Sequence, residues 1–214
     1  MLEGLKKLLF PRRCAFCRRL IEEDGGYLCS KCADKVKEIS RPKAHKGSFY
    51  NEALAVYSYK DQVRQAIHRY KFHGGVYLGE FFGSKMAEKV RQAGWQIDIV
   101  TSAPSHASKR RKKGYDHAYL LAREMAKELD APCLQLLSKT RRTPPMYGLT
   151  PAQRRANIMG SIKLSCPAEQ IKGKRILLAD DIITTGSTAS ECARVLKTAG
   201  AAYVAVICAA GAKR

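Results

Sequence analysis

A mainly parallel α/β sheet with helices on both faces, preceded by a small four-cysteine module, is the fold class this sequence predicts. Three observations predict it. Segments of strand character alternate with segments of helical periodicity from about residue 53 to residue 208, the pattern of a doubly wound sheet. The apolar run Ile176-Leu177-Leu178-Ala179 follows Lys174-Arg175 and leads straight into Asp180-Asp181. It is too short for a helix and suits a central strand covered on both faces. Ahead of the alternation stand two CxxC pairs, Cys14/Cys17 and Cys29/Cys32, with eleven residues between them. A chain of 214 residues holds one substantial core and at most a small second unit, so the expected division is 1–45 for the cysteine module and 50–214 for the α/β domain.

Each element has its own justification. Residues 1–13 place Leu2, Leu5 and Leu9 at helical spacing among lysines and arginines, a short basic amphipathic helix that either rests on a membrane surface or packs on its own protein. The four thiolates of Cys14, Cys17, Cys29 and Cys32 come within tetrahedral reach and leave no open position, which describes a structural zinc site. So short a module buries too little apolar surface to fold unaided, and the metal should supply its stability. Removing the metal is therefore expected to unfold the module and spare much of the second domain. Arg12, Arg13, Arg18, Arg19 and Lys31 surround it, as a phosphate-binding face or a solvated one. The other four cysteines are scattered and read as small buried hydrophobes.

Residues 41–48 form a basic linker with proline and glycine. A strand is expected over 53–59, then a helix capped by Asp61 whose Val63, Ala66, Ile67 and Tyr70 share a face. That helix ends in Tyr70-Lys71-Phe72-His73-Gly74-Gly75. Lys71 either reaches a phosphate or simply complements the helix C-terminus. A helix follows over 78–92. A strand over 97–103 delivers Ser105 and His106 at its carboxyl end. The run Lys109-Arg110-Arg111-Lys112-Lys113 comes next, on the sheet edge that carries the acid pair if the strands are parallel. A helix over 118–129 and a short strand over 133–137 lead into residues 138–160, polar, basic and proline-rich. A long segment of that kind is expected to act as a lid, bringing Arg141, Arg142, Thr143, Arg154, Arg155 and Asn157 to a phosphorylated ligand. A last helix stops at Gly200, before a strand over 203–208.

The chemistry concentrates in residues 176–188. Neighbouring side chains on a strand point to opposite faces, so Asp180 and Asp181 are expected to serve one ligand where the strand runs out, at the carboxyl edge where open α/β sheets bind ligands. Thr184-Thr185-Gly186-Ser187-Thr188 has the make-up of an anion nest opening a helix. Acids for vicinal hydroxyls beside a loop for phosphate describe a ribose 5-phosphate site.

This stretch resembles the phosphoribosyl pyrophosphate signature of the type I phosphoribosyltransferases. The whole chain resembles the ComF family, late-competence proteins that join a four-cysteine zinc module to a type I phosphoribosyltransferase-like domain. Four segments carry the resemblance in order: the paired CxxC motifs, YKFHGG at 70–75, APSHASKRRKKGYDHAYLLA at 103–122, and RRTPPMYGLTPAQRRANIMG at 141–160 before the signature. In the related amidophosphoribosyltransferases an arginine-threonine segment forms a flexible lid, and Arg142-Thr143 onward is its counterpart. The chain departs from the family at Gly75, where an acid is common, at Gly114-Tyr115-Asp116-His117-Ala118, where GFNQA is common, and near Met146, where a glutamine is common.

The resemblance implies a phosphoribosyl pyrophosphate ligand with Mg2+, held by Asp180, Asp181 and the loop Thr184, Thr185, Gly186, Ser187, Thr188. Lys71, Ser105, His106, Lys109, Arg110, Arg111, Arg142, Arg154 and Arg155 are the expected contacts to pyrophosphate or nucleic acid. It also implies a role in handling incoming DNA during natural transformation. The net charge of +20 attracts polyanions. With no secretory leader or spanning run of apolar residues in the sequence, the expected location is the cytoplasm, with peripheral contact to the inner face of the membrane or to DNA-uptake proteins. Three functions stay open. One is a binding protein for phosphoribosyl pyrophosphate and single-stranded DNA, and another is an RNA-binding regulator. The third is an active transferase, in which Asp180 and Asp181 would position the ribose while pyrophosphate leaves.

Overall fold

A computed structural model describes residues 13–21, 26–39, 49–108, 111, 114–144 and 148–212. Seven of its elements build the sheet and the face that meets the cysteine module: β1 (Glu52–Ser58), α2 (Asp61–Phe72), α3 (Leu78–Gln92), β2 (Ile99–Ser102), α4 (His117–Leu129), β5 (Arg175–Ile183) and β6 (Tyr203–Gly211). They are preceded by the short helix α1 (Ser30–Lys35), and the other face carries α6 (Ser187–Thr198). Between α4 and β5 lies a small hood of β3 (Leu137–Lys139), α5 (Pro151–Ile158) and β4 (Ile162–Leu164). The sheet is parallel throughout, in the order β1-β6-β5-β2, as the alternation of elements predicts.

The strand period divides the core in two. Leu177 and Ala179 of β5, with Ala205 and Ile207 of β6, pack under α2, α3 and α4. Ile176 and Leu178, with Val204 and Val206, face α6 and the hood. These side chains are fully buried. The near-continuous apolar runs are what a sheet covered on both faces requires.

Three expectations need correction. The acid pair does not lie where β5 ends, because the strand continues through Asp180 and Asp181 to Ile183. The irregularity is on the other side: pairing with β2 stops at Ser102↔Ala179, so the edge of β5 is released at the acids while β6 still holds its far side. Asp61 is not the cap of α2, since Lys60 occupies that position without a side-chain cap. The strand expected over 133–137 is a single parallel bridge, Val100↔Cys133, with the true strand beginning at Leu137. The segment 138–160, expected to act as a lid, holds regular elements of its own. Thr150 and Gln153 form a reciprocal capping box at α5, with Pro151 at its first turn, and Leu136, Leu137, Ile158 and Ile162 bury themselves against the sheet.

The cysteine module shares the larger domain's core. Phe16 sits edge-on against Tyr57 (5.4 Å) and Phe81 (5.5 Å), and the Arg69 guanidinium donates to the carbonyls of Ala15 (2.7 Å) and Phe16 (2.9 Å). Cys14, Ala15, Phe16 and Cys32 are buried with Tyr57 and Tyr70 in one cluster. Loss of the module's structure would therefore uncover part of the second domain. The amphipathic segment at 1–12 and the linker at 41–48 lie outside the described residues.

Candidate functional site

Strand β5 delivers two carboxylates to opposite faces at the point where β2 has ended. Asp181 points to the α2 side and pairs with Lys71 Nζ at 2.8 Å. Burial works against the charge on Lys71, yet Asp181 and Asp180 outweigh it and hold the ammonium above the ordinary lysine value. Lys71 arrives there because α2 ends one residue later and the chain turns sharply at Gly74-Gly75. A Cβ on Gly75 would stand 2.9 Å from the Arg69 carbonyl carbon and oxygen, so the close return requires glycine.

Asp180 faces α6 and accepts a hydrogen bond from the Asp181 amide (2.8 Å). Burial, then the charge of Asp181, push its carboxyl up to about 8, against the pull of Lys71. After the strand, Gly186 takes a left-handed φ of 74° as the residue before α6. This turns the free amides of the first helical turn back toward the acids. Thr185 and Ser187 hydroxyls share a hydrogen bond of 2.8 Å.

Two clefts meet at these residues. One is lined by Thr184, Thr185, Gly186, Ser187 and Thr188 with Asp180 and Arg154. The other, of about 330 Å³, runs past Lys71, Ser105, Asp116 and Asp181. Asp180 and Thr188 line both. The hood reaches this junction through α5, where Arg154 Nη1 donates to Thr184 Oγ1 (2.9 Å) and Arg154 Nε to the Leu149 carbonyl (2.9 Å).

Of the expected contact residues, Lys71, Ser105 and Arg154 come together with the acid pair and the loop. His106 is held locally through a 2.8 Å hydrogen bond between its Nδ1 and Ser108 Oγ. Arg111, Arg142 and Arg155 are exposed and line neither cleft. Lys109 and Arg110 lie outside the described residues. Arg141 serves the hood itself, donating to the carbonyls of Asn157 and Met159. Thr143 accepts from Lys139 Nζ (2.7 Å).

Asp116 is the residue that the sequence reading did not place in the site. Its carboxylate accepts from Ser105 Oγ at 2.5 Å and from the Ser105 amide at 3.3 Å, making a third acid on the cleft wall. The signal was its position just ahead of a helix whose partner strand ends at Ser102.

The four thiols of Cys14, Cys17, Cys29 and Cys32 all lie within 4.8 Å of one another, with Cys17 and Cys29 sulfurs 3.6 Å apart. Tetrahedral zinc–thiolate bonds place sulfurs about 3.8 Å apart, so the donor set and its spread fit the metal. Among the described residues, no helix is long and apolar enough to cross a membrane.

Comparison with known proteins places both halves. The double zinc ribbon domain family matches residues 5–46, and the phosphoribosyl transferase domain family matches residues 116–214. "Competence protein F" of Haemophilus influenzae is 24% identical over 92% of this chain and 96% of its own length. The chain belongs to the ComF family. "DNA utilization protein YhgH" of Salmonella typhimurium aligns with this ComF-family chain at 25% identity, over 94% of it and 97% of the relative. Among solved structures, the glutamine phosphoribosylpyrophosphate amidotransferase of B. subtilis is similar at 19% identity and a TM-score of 0.45, covering 66% of this chain but only 30% of that one. By the two family matches, the architecture is a type I phosphoribosyltransferase-like α/β domain behind a zinc ribbon.

Proposed function

We propose that this ComF-family chain binds phosphoribosyl pyrophosphate and single-stranded DNA, and acts in the handling of incoming DNA during natural transformation. The observation that carries the ligand is the junction of the two clefts at Asp180 and Thr188. A 5′-phosphate would lie in the 184–188 loop, the ribose hydroxyls on the acid pair, and the pyrophosphate toward Lys71. The hard carboxylate oxygens of Asp180, Asp181 and Asp116 suit Mg2+, which would neutralise the pyrophosphate. Names of the relatives, competence protein F and DNA utilization protein, support the DNA role, as does the net charge of +20.

The second reading, transfer of ribose 5-phosphate to a base or amine, is favoured by the continuation of the cleft past Asp181 to Ser105 and Asp116, which leaves an acceptor somewhere to stand. Catalysis would then rest on positioning and electrostatics. Calorimetry with phosphoribosyl pyrophosphate and magnesium tests the site: Asp180→Asn with Asp181→Asn should abolish binding, and unchanged affinity would defeat the assignment. Release of pyrophosphate across a panel of bases and amines, with the same double variant as control, separates enzyme from binder.

A further inference from the structure

A groove of about 790 Å³ runs between the zinc knuckle and α2, lined by Arg18, Arg64, His68, Arg69, His73 and Tyr77 among others, with Asp61 as the one carboxylate among the described residues. Arg18 comes from the knuckle, Arg64 and His68 from one exposed face of α2, and His73 and Tyr77 from the turn beyond it. Lys71 lies on the same helix but reaches Asp181 instead, so the groove is separate from the acid pair.

Three features mark it as built for a ligand. Arg69 pins its two walls together through the Ala15 and Phe16 carbonyls. Among the described residues three non-glycines take positive φ, and two of them, Arg18 (67°) and Asp61 (44°), line this groove. Arg18 closes the Cys14–Cys17 knuckle, its amide donating to the Cys14 carbonyl (3.0 Å). Glycine adopts that conformation without cost and arginine does not. A side chain kept in such a conformation points to a role for the side chain. Finally, rings stand in the open: Tyr77 is 55% exposed and Phe72 58%, with His68 packed between Phe72 (4.9 Å) and His73 (5.0 Å).

We infer that this groove is the nucleic-acid site, with Arg18, Arg64 and the groove's basic wall following the phosphates of a single strand while Tyr77 and the adjoining rings stack on its bases. Guanidinium groups interleaved with exposed aromatic faces are the chemistry of single-strand binding. A duplex keeps its bases stacked on each other and offers those rings nothing. The inference rests on the nucleic-acid half of the function proposed above and not on its ribose-phosphate half.

The test uses the full chain with zinc bound and fluorescence anisotropy of labelled oligothymidylate, oligouridylate and a duplex. Tyr77→Ala should weaken single-strand binding about fivefold or more. Arg64→Gln should lower the slope of log affinity against log salt by about 0.7 for the phosphate contact removed. Arg18→Gly is the discriminating variant: it relieves the backbone, so thermal stability and zinc content should hold or rise while affinity falls. All three should leave phosphoribosyl pyrophosphate binding intact, which separates failure here from failure of the acid-pair site. Whichever single strand binds more tightly identifies the natural polymer. Unchanged affinity in the triple variant, or tighter binding of the duplex, would overturn the assignment.

Discussion

Asp180 and Asp181 are adjacent, yet the two carboxyls stand in different electrostatic surroundings. Asp181 has a lysine partner at 2.8 Å, whereas Asp180 has its neighbour's amide and its neighbour's charge. The Asp180 carboxyl is raised to about 8 from an unfolded value of about 3.9. The folded protein therefore holds this proton over a window in which the unfolded chain has lost it, and stability from this group falls as pH rises from about 4 to 8. Asp180→Asn should raise the melting temperature at pH 9, with the gain vanishing near pH 4. Ligand hydroxyls donate best to the ionised carboxylate, so affinity for phosphoribosyl pyrophosphate should climb with pH up to about 8, by at most about tenfold per unit for one released proton. The Asn variant should lose that dependence. A flat wild-type profile in calorimetry at pH 6, 7, 8 and 9 would place the proton elsewhere.

At the scale of elements, the helices and central strands were legible because their apolar residues repeat at one period. The helix at Leu78–Gln92 falls where the spacing of Leu78, Phe82, Met86 and Val90 puts it. The hood was not legible in the same way. Its strands are three residues each, too short to show alternation, and α5 buries only Ile158. The capping box at Thr150 and Gln153 was the readable sign of that helix. The extension of β5 to Ile183 was hidden because the acids interrupt the apolar run that marks the strand. Within the site, the acid pair and threonine loop could be read from composition, whereas the approach of Lys71 and Asp116 depends on α2 and α4 packing beside β5, a long-range fact. Arg154 is the hood's tie to the loop. Arg154→Ala should weaken ligand binding about tenfold, the order of a lost charged hydrogen bond, while Arg142→Ala, an exposed residue of the same segment, changes it little. Calorimetry on the two variants makes the comparison.

For the molecule as a whole, the zinc ribbon and the α/β domain are joined by a common core rather than by a tether alone. Phe16 reaches the rings of Tyr57 and Phe81 on β1 and α3, so metal removal should reach further than the module. Chelation is expected to lower the melting temperature of the entire chain and to lower amide protection on the neighbouring faces of α2 and α3. Phe16→Ala, with zinc retained, should cost about 3–5 kcal/mol in denaturant unfolding. A second domain that melts identically with and without zinc would show that the shared packing contributes nothing.

The strand order has a consequence for synthesis. β6 lies between β1 and β5, yet it is the last of the four to be made. A chain emerging from the ribosome carries β1 with its hydrogen-bonding edge bare through every element from α2 to α6. The acid pair, too, has no β6 to brace its far side until then. Phe16 and Arg69 can meet long before that, which gives the metal-bound knuckle a place in the nascent chain: it shields one face of β1 while the centre of the sheet is still missing.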